Sequence, residues 1–539
     1  MILLYFVLLF SEKTFGTLGA GGPISDLQEN MDVKHLYLQL KMDPTHKTIE
    51  GMAEWDVVLR NPQLRKLEWD LYSGLVVSHV TSEQQNLDFK QDGHKVFITL
   101  PDQPSPKISV RIHYAGQPFE AINPPWQGGF TWVKTDQGSP WVAVSCQGEG
   151  AKVWFPAKDQ IGDKIEGFRL EFTVPEGLVC AANGRLIETT QPQPGWTQFT
   201  WVSDYSVNPY NISFGLGDYG LQEDLFKDRE NRETPVAFYY LKHHQKSDQI
   251  TGDTRSFQQK RDDLVQEFMR YLDFYARHFG PFPFQQDKAG IVQTPYLGME
   301  HQTINAYGNH FKMVDGYDWL LLHELGHEWW GNKVSVADWR DFWIHEGICT
   351  YSTAMFLEET KGIEGAFTFL AGLRKQISNA KPIVGPAQST TSESYSLDVY
   401  YKGALMLHSL RFLLGKAALD DILKTFATSP ATTYLSAVTT EDFISLTERI
   451  SEQDLRWFFD RYLYQAELPS LSVTKKGKNL HLAWDSEAFP MPIEIQLKHK
   501  GKTTFHRIKM PRGKGTLALP KNASYSVDPR SWVLKSNPP

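Results

Sequence analysis

A chain of 539 residues is too long for one hydrophobic core, and at roughly 100–200 residues per domain it divides into about three or four. Its 41% hydrophobic and 22% charged residues exclude a disordered or fibrous chain, and a net charge of −8 excludes the strongly basic surface of a nucleic-acid binder. Three cysteines, Cys146, Cys180 and Cys349, with no CxxC spacing, exclude a disulfide framework or a cysteine metal ribbon and read as buried free thiols.

Met1 to Phe10 is almost wholly apolar. A helix crossing a bilayer needs about 20 such residues, so the run reads instead as the apolar centre of an export signal. Small residues follow it between Gly16 and Gly22. The usual basic residues before such a centre are missing. Residues 1–22 are thus expected to be an export segment of a periplasmic or secreted protein, with a cytoplasmic one as the alternative. No later stretch reaches transmembrane length.

From about Val33 to Gly220 the pattern is that of strands. His35 to Leu40, Val96 to Leu100 and Phe168 to Val174 alternate with period two, and Gly, Pro, Asn and Asp punctuate them. Charge and turn residues from Asp218 to Thr234 read as a linker. One strand, Val236 to Leu241, follows. Phe257 to Phe279 then carries apolar residues at helical spacing, closed by Pro281 and Pro283. The chain stays mainly helical to about Gln465. Ser451 to Asp454 reads as a capped helix start, with Leu455, Phe458, Phe459 and Tyr462 on one face. Past Leu468-Pro469 come short strands: Leu480 to Trp484, Ile493 to Leu497, Thr503 to Ile508 and Thr516 to Leu519. Arg507, Lys509, Arg512 and Lys514 read as a solvated turn between them. The chain is therefore expected to be a multidomain α+β protein. It has an all-β domain over 23–220, a mainly helical domain over 221–466 and a small β-sandwich over 467–539.

His323 and His327 are four residues apart, which on a helix puts both imidazoles on one face where they can hold a single ion. Tyr317 to Leu322 before them and Glu328 to Trp330 after them keep the stretch helical, and Gly331-Asn332 supplies a stop. Catalytic zinc takes three protein ligands and keeps one open position. Glu346 is the third candidate: eighteen residues separate it from His327, and it comes after Trp339 to Ile344 and at the head of a second helical stretch, Gly347 to Met355. HExxH arises by chance in roughly one chain of this length in thirty, and with a glutamate at this spacing in about one in five hundred. The combination therefore reads as a metal centre. Glu324 projects beside the ion's open position, where a carboxylate serves as base toward an attacking water and then as acid toward a leaving amine.

These residues resemble peptidase family M1, the zinc aminopeptidases. His323 to Asn332, with Trp343 to Gly347 after it, carries the resemblance. Leu297-Gly298-Met299-Glu300-His301 stands in the place of the family's Gly-Ala-Met-Glu-Asn, and Tyr400-Tyr401-Lys402-Gly403 is similar to its Tyr-x-Lys-Gly. The resemblance implies a saddle-like N-terminal β-sheet domain, a thermolysin-like catalytic domain and a C-terminal β-sandwich. It also implies one Zn2+ per chain and peptide substrates with a free amino terminus. By the same resemblance Glu300 and Glu149 anchor the substrate's α-amino group, Gly298 and Met299 border the peptide, and Tyr400 donates to the oxyanion. Gln147, Tyr296 and Tyr395 line the first side-chain pocket, and Tyr401 is a core residue. Leu297 in place of glycine and His301 in place of asparagine depart from the pattern. Leu297 limits close approach of a substrate, and His301 adds an imidazole near the site.

The alternatives are a thermolysin-like endopeptidase, a bifunctional epoxide hydrolase and aminopeptidase, and a non-catalytic binding protein on the same scaffold. Glu149 and Glu300 speak against the first. No counterpart of the large helical C-terminal domain of many members is read, which speaks against the second. The complete set His323, Glu324, His327, Glu346 and Tyr400 speaks against the third.

Overall fold

The computed structural model describes residues 18–536 apart from 103, 244 and 433. The apolar run Met1 to Phe10 lies outside the described residues. Among those described, no helix is long and apolar enough to cross a membrane.

The first lobe is built on a long central strand, Met31–Asp43. It pairs antiparallel with Thr48–Leu59, Leu38 opposite Ala53, and parallel with Gly167–Pro175, Leu36 beside Phe168. Its buried side chains are Met31 and Val33, then Leu36, Leu38, Leu40 and Met42. That one-residue slip in a period-two pattern is absorbed by a bulge between Val33 and His35. Trp55 and Trp69 stack beneath the sheet at 5.0 Å between ring centroids. Full burial of a large apolar side chain contributes roughly 1.5–3 kcal/mol, and both are shut off from solvent. A second, four-stranded sheet includes Pro140–Ser145. That strand runs straight into the Cys146 to Gly150 turn, which closes by Glu149 N–H and Gly150 N–H bonds to the Cys146 carbonyl at 3.2 and 2.7 Å.

The stretch Asp218 to Thr234 is not a linker. Tyr219–Lys227 is the edge strand of a five-stranded sheet and pairs along its whole length with Glu233–Leu241. An edge strand with one wet face needs few apolar residues, and Tyr219 and Phe226 are its buried ones, so its polarity masks it in the sequence. The Asp228 carboxylate shapes the turn by accepting the N–H groups of Glu230 and Arg232, each at 2.9 Å.

Four helices place the chemistry. Helix α1 (Phe257–Phe279) starts at a Ser256–Gln259 capping box and ends at Gly280. Helix α2 (Trp319–Gly326), helix α3 (Trp343–Lys361) and helix α4 (Leu397–Leu414) follow. Helix α2 is shorter than its sequence suggests. It stops at Gly326, and the Trp329 and Trp330 N–H groups fold back on the Gly326 carbonyl, both at 3.1 Å. Helices α3 and α4 touch backbone to backbone: a Cβ on Gly347 would lie 3.1 Å from the Gly403 Cα, and the reverse holds at the same distance. Ser451 ends a helix, Thr440–Ser451, with Glu452 left-handed after it. The next helix begins at Arg456, whose N–H the Asp454 side chain accepts, so the helix starts later than Ser451 to Asp454 suggested. Leu455, Phe458, Phe459 and Tyr462 are buried as their spacing requires.

Two three-stranded sheets form the C-terminal sandwich. Lys514 in the basic stretch is exposed and pairs with Glu487. All three cysteines are free and buried.

Candidate metal centre and its cleft

Helix α2 begins where the Asp318 side chain accepts the Leu320 and Leu321 N–H groups, both at 3.1 Å. Its leucines point into the core, which turns His323 toward a cleft between the lobes, while His327 caps its C-terminus. Glu346 arrives from the first turn of α3. The three donor atoms form a small triangle. His323 Nε2 is 3.2 Å from both His327 Nε2 and Glu346 Oε2, and His327 Nε2 is 3.4 Å from Glu346 Oε2.

Those edges identify the ion they suit. With zinc–ligand bonds of about 2.0–2.1 Å, donors at the tetrahedral angle stand about 3.3–3.4 Å apart. His327 Nδ1 donates to the Trp330 carbonyl at 2.8 Å, which leaves the Nε2 lone pair aimed into the triangle. Burial alone would raise the Glu346 carboxyl, but the facing His327 and His323 hold it well below the ordinary range. A buried carboxylate facing two imidazoles needs positive charge beside it, which either a proton on His327 or a cation where the three converge supplies. Glu300, Glu324 and His327 also bring ligand atoms within 4.8 Å of one another. Glu300 Oε1, however, is already engaged by Gln147 Nε2 and by the Tyr210 hydroxyl, the latter at 3.1 Å.

The expected residues fall into place unequally. Gln147, Gly298, Met299, Glu300, Glu324 and Tyr400 line the same cleft as the three ligands, and so does Leu297. Burial pushes Glu324 well above the ordinary carboxyl range, with Glu300 and Glu346 adding to the shift and His327 opposing it. The Tyr400 ring lies nearly parallel to His323 at 6.1 Å, and Tyr395 packs edge-on against it at 5.9 Å. Gly298–Met299 is the terminal strand of the five-stranded sheet, paired on one side with Ala306 and Tyr307. Both of its residues line the cleft.

Glu149 sits deeper. It is fully buried, and its Oε2 accepts the Leu18 N–H at 2.6 Å. Tyr296 is buried with its hydroxyl on the Val144 carbonyl at 2.8 Å. His301 is 1% exposed, and burial lowers its pKa to about 3, so it is a neutral imidazole. Tyr401 is core, as expected.

Sequence reasoning missed Tyr210, whose hydroxyl orients Glu300, and Trp126 and Trp319, which wall the cleft. A tyrosine in a one-turn Pro209–Asn211 helix and two tryptophans in an aromatic-rich chain carry no local signal of that role. It also gave Glu328 and Asn332 no task. The Glu328 carboxylate accepts the Thr303 N–H at 2.8 Å, Asn305 Nδ2 at 2.9 Å and Asn332 Nδ2 at 3.0 Å. It thereby ties the turn after α2 to the segment that follows Glu300.

Comparison with known proteins agrees with this arrangement. The family model described as the peptidase M1 N-terminal domain matches residues 32–210, and that for the peptidase family M1 domain matches 264–462, together more than half of the chain. Aminopeptidase N of Haemophilus influenzae is 22% identical over 461 residues, covering 83% of this chain and 51% of that protein. Human endoplasmic reticulum aminopeptidase 1 is 21% identical over 422 residues, covering 69% and 42%. The chain thus spans about half the length of these curated relatives. A mutant M1 zinc metallopeptidase of Deinococcus radiodurans, solved with a Tyr-Ser-Ala substrate, superposes with a TM-score of 0.69 at 23% identity. That match covers 85% of this chain and 98% of the other. With both M1 models matched and the family's metal and cleft motifs gathered in one place, the chain belongs to peptidase family M1.

Proposed function

We propose that this protein is a zinc-dependent aminopeptidase that removes the first residue of peptides with a free amino terminus. The observation that carries the reading is the pairing, across one cleft, of the His323, His327 and Glu346 triangle with the buried, pre-oriented carboxylate of Glu300. The name of the Haemophilus relative and the substrate bound by the Deinococcus one support it.

Zinc held by the triangle would polarise the scissile carbonyl and lower the pKa of the attacking water. Glu324 takes a proton from that water as its oxygen bonds to the carbonyl carbon, then passes it to the departing nitrogen as the C–N bond breaks. The Tyr400 hydroxyl donates to the carbonyl oxygen as charge collects there. Glu300 receives the α-ammonium, which is the ordinary form of an amine with a pKa near 8. Burial works against an ionised Glu300, and an incoming cation answers that cost with charge-assisted hydrogen bonds. Gly298 and Met299 offer a strand edge to the extended substrate. An amine held at Glu300 places the first peptide bond, rather than a later one, nearest the triangle. Glu149, fully buried behind Gln147 and bonded to the Leu18 N–H, reaches the amine only through its neighbours unless that bond opens.

The test compares one short peptide with a free amino terminus and the same peptide acetylated. The free peptide is expected to lose its first residue and the acetylated one to resist. Equal cleavage of both would refute the reading and favour a thermolysin-like endopeptidase.

A further inference from the structure

Residues Leu18 to Gly22, expected from the sequence to lie in the export segment, are packed as a strap between the two lobes and so belong to the folded protein. Its path requires its composition. Gly19, Gly21 and Gly22 have φ of +61°, +73° and +87°, and a Cβ on Gly21 would lie 2.4 Å from Trp339 Cδ1. On one side the strap bonds to the N-terminal lobe. The Leu18 N–H goes to Glu149, the Ala20 N–H to the Gly148 carbonyl at 3.2 Å and the Gly21 N–H to the Asp159 carbonyl at 3.1 Å, while Lys152 Nζ donates to the Gly19 carbonyl. On the other side it bonds to the catalytic lobe. The Thr391 N–H donates to the Ala20 carbonyl at 3.0 Å, and the Gly22 N–H donates to the Ser389 carbonyl at 3.3 Å.

Both sides lead to the site. Gly148 and Glu149 share a tight turn with Gln147, whose amide holds Glu300. Thr391 accepts the Tyr395 N–H at 2.9 Å, and Tyr395 packs on Tyr400. We propose that the strap Leu18–Gly22 is a positioning element for the substrate's amino group: by holding Gly148 and Glu149 it sets the turn from which Gln147 orients Glu300. The inference rests on the aminopeptidase reading, since it assigns Glu300 the amine.

Leu18→Pro removes the N–H that Glu149 accepts, and Gly21→Ala drives a methyl into Trp339. A lost hydrogen bond to a charged group corresponds to roughly tenfold or more in binding. Both variants are therefore expected to raise KM for the free-amino peptide about tenfold, with kcat within about twofold of the parent. Their preference for the free over the acetylated peptide should shrink. Leu18→Ala keeps the N–H and is expected to restore the parental KM. Folded variants with parental KM and preference would overturn the inference, as would a KM that falls, which would make the strap an obstruction. If the parent itself cleaves both peptides alike, the aminopeptidase reading fails first. If the parent discriminates and the variants match it, the strap alone fails.

Discussion

At position 298 the lack of a side chain is what lets Glu324 sit where it does. A Cβ there would lie 2.7 Å from Leu320 Cδ1 and 2.9 Å from Glu324 Oε1, both at the far ends of side chains that can swing aside. Gly298→Ala should therefore fold, keep its zinc and displace Glu324, the proposed base. Since a misplacement of about 1 Å costs roughly 100-fold in rate, kcat is expected to fall by about that factor at unchanged metal content. Glu324→Gln goes further. The three ligands are untouched, so zinc measured on the purified protein should match the parent, while kcat falls by about 10²–10⁴. Loss of zinc along with turnover would mean that Glu324 helps to hold the ion. At this scale the sequence was informative where chemistry imposes spacing: His323, His327 and Glu346 stood out because one ion needs them together. Tyr210 did not, because a single hydroxyl meeting Glu300 from ninety residues away follows from tertiary packing alone.

Among the elements, α3 and α4 are brought together by the pair Gly347 and Gly403. Each glycine directly follows or closely trails a side chain that lines the cleft: Glu346 on α3, Tyr400 on α4. The bare backbone contact sets how closely the helix that carries Tyr400 lies on the helix that carries Glu346. Gly403→Ala places a methyl 3.1 Å from the Gly347 Cα, against backbone that cannot swing away. Overpacking of this kind costs about 1–3 kcal/mol. The variant should melt earlier and lose turnover even at temperatures where it is fully folded. A folded Gly403→Ala protein with parental kcat would show that the contact does not set where Tyr400 stands. Helix α1 was legible almost to the residue, because a periodic apolar face is closed by Pro281 and Pro283; the structure adds the Ser256–Gln259 capping box and Gly280 at its ends. The Tyr219–Lys227 strand was not, because its exposed face is charged. The early end of α2 was equally hidden, because the turn that stops it is made by backbone bonds from two tryptophans.

Across the whole molecule, the lobes are joined by two buried lysines working in opposite directions. Lys164 of the N-terminal lobe donates to the Asn332 and Lys333 carbonyls at 2.8 and 3.0 Å, just after the metal-bearing turn. Lys288 of the catalytic lobe donates to the Ala182 carbonyl at 2.7 Å and to that of Gly184. Burial lowers both amines to about 7; Lys333 adds to the shift at Lys164, and Asp287 and Glu328 oppose it at Lys288. In the unfolded chain a lysine titrates near 10.4. Between about pH 7 and 10.4 the unfolded state therefore binds more protons than the folded one, and stability rises with pH, by up to about 1.4 kcal/mol per unit for each lysine. Below about pH 7 both states are protonated and this contribution is flat. Denaturant unfolding of the parent from pH 7 to 9, set against Lys164→Met and Lys288→Met, isolates the effect. Each variant should show a shallower rise than the parent, by about one proton's worth of slope. Parallel curves for parent and variants would mean that the lysines stay charged at the lobe interface, held there by their paired carbonyls.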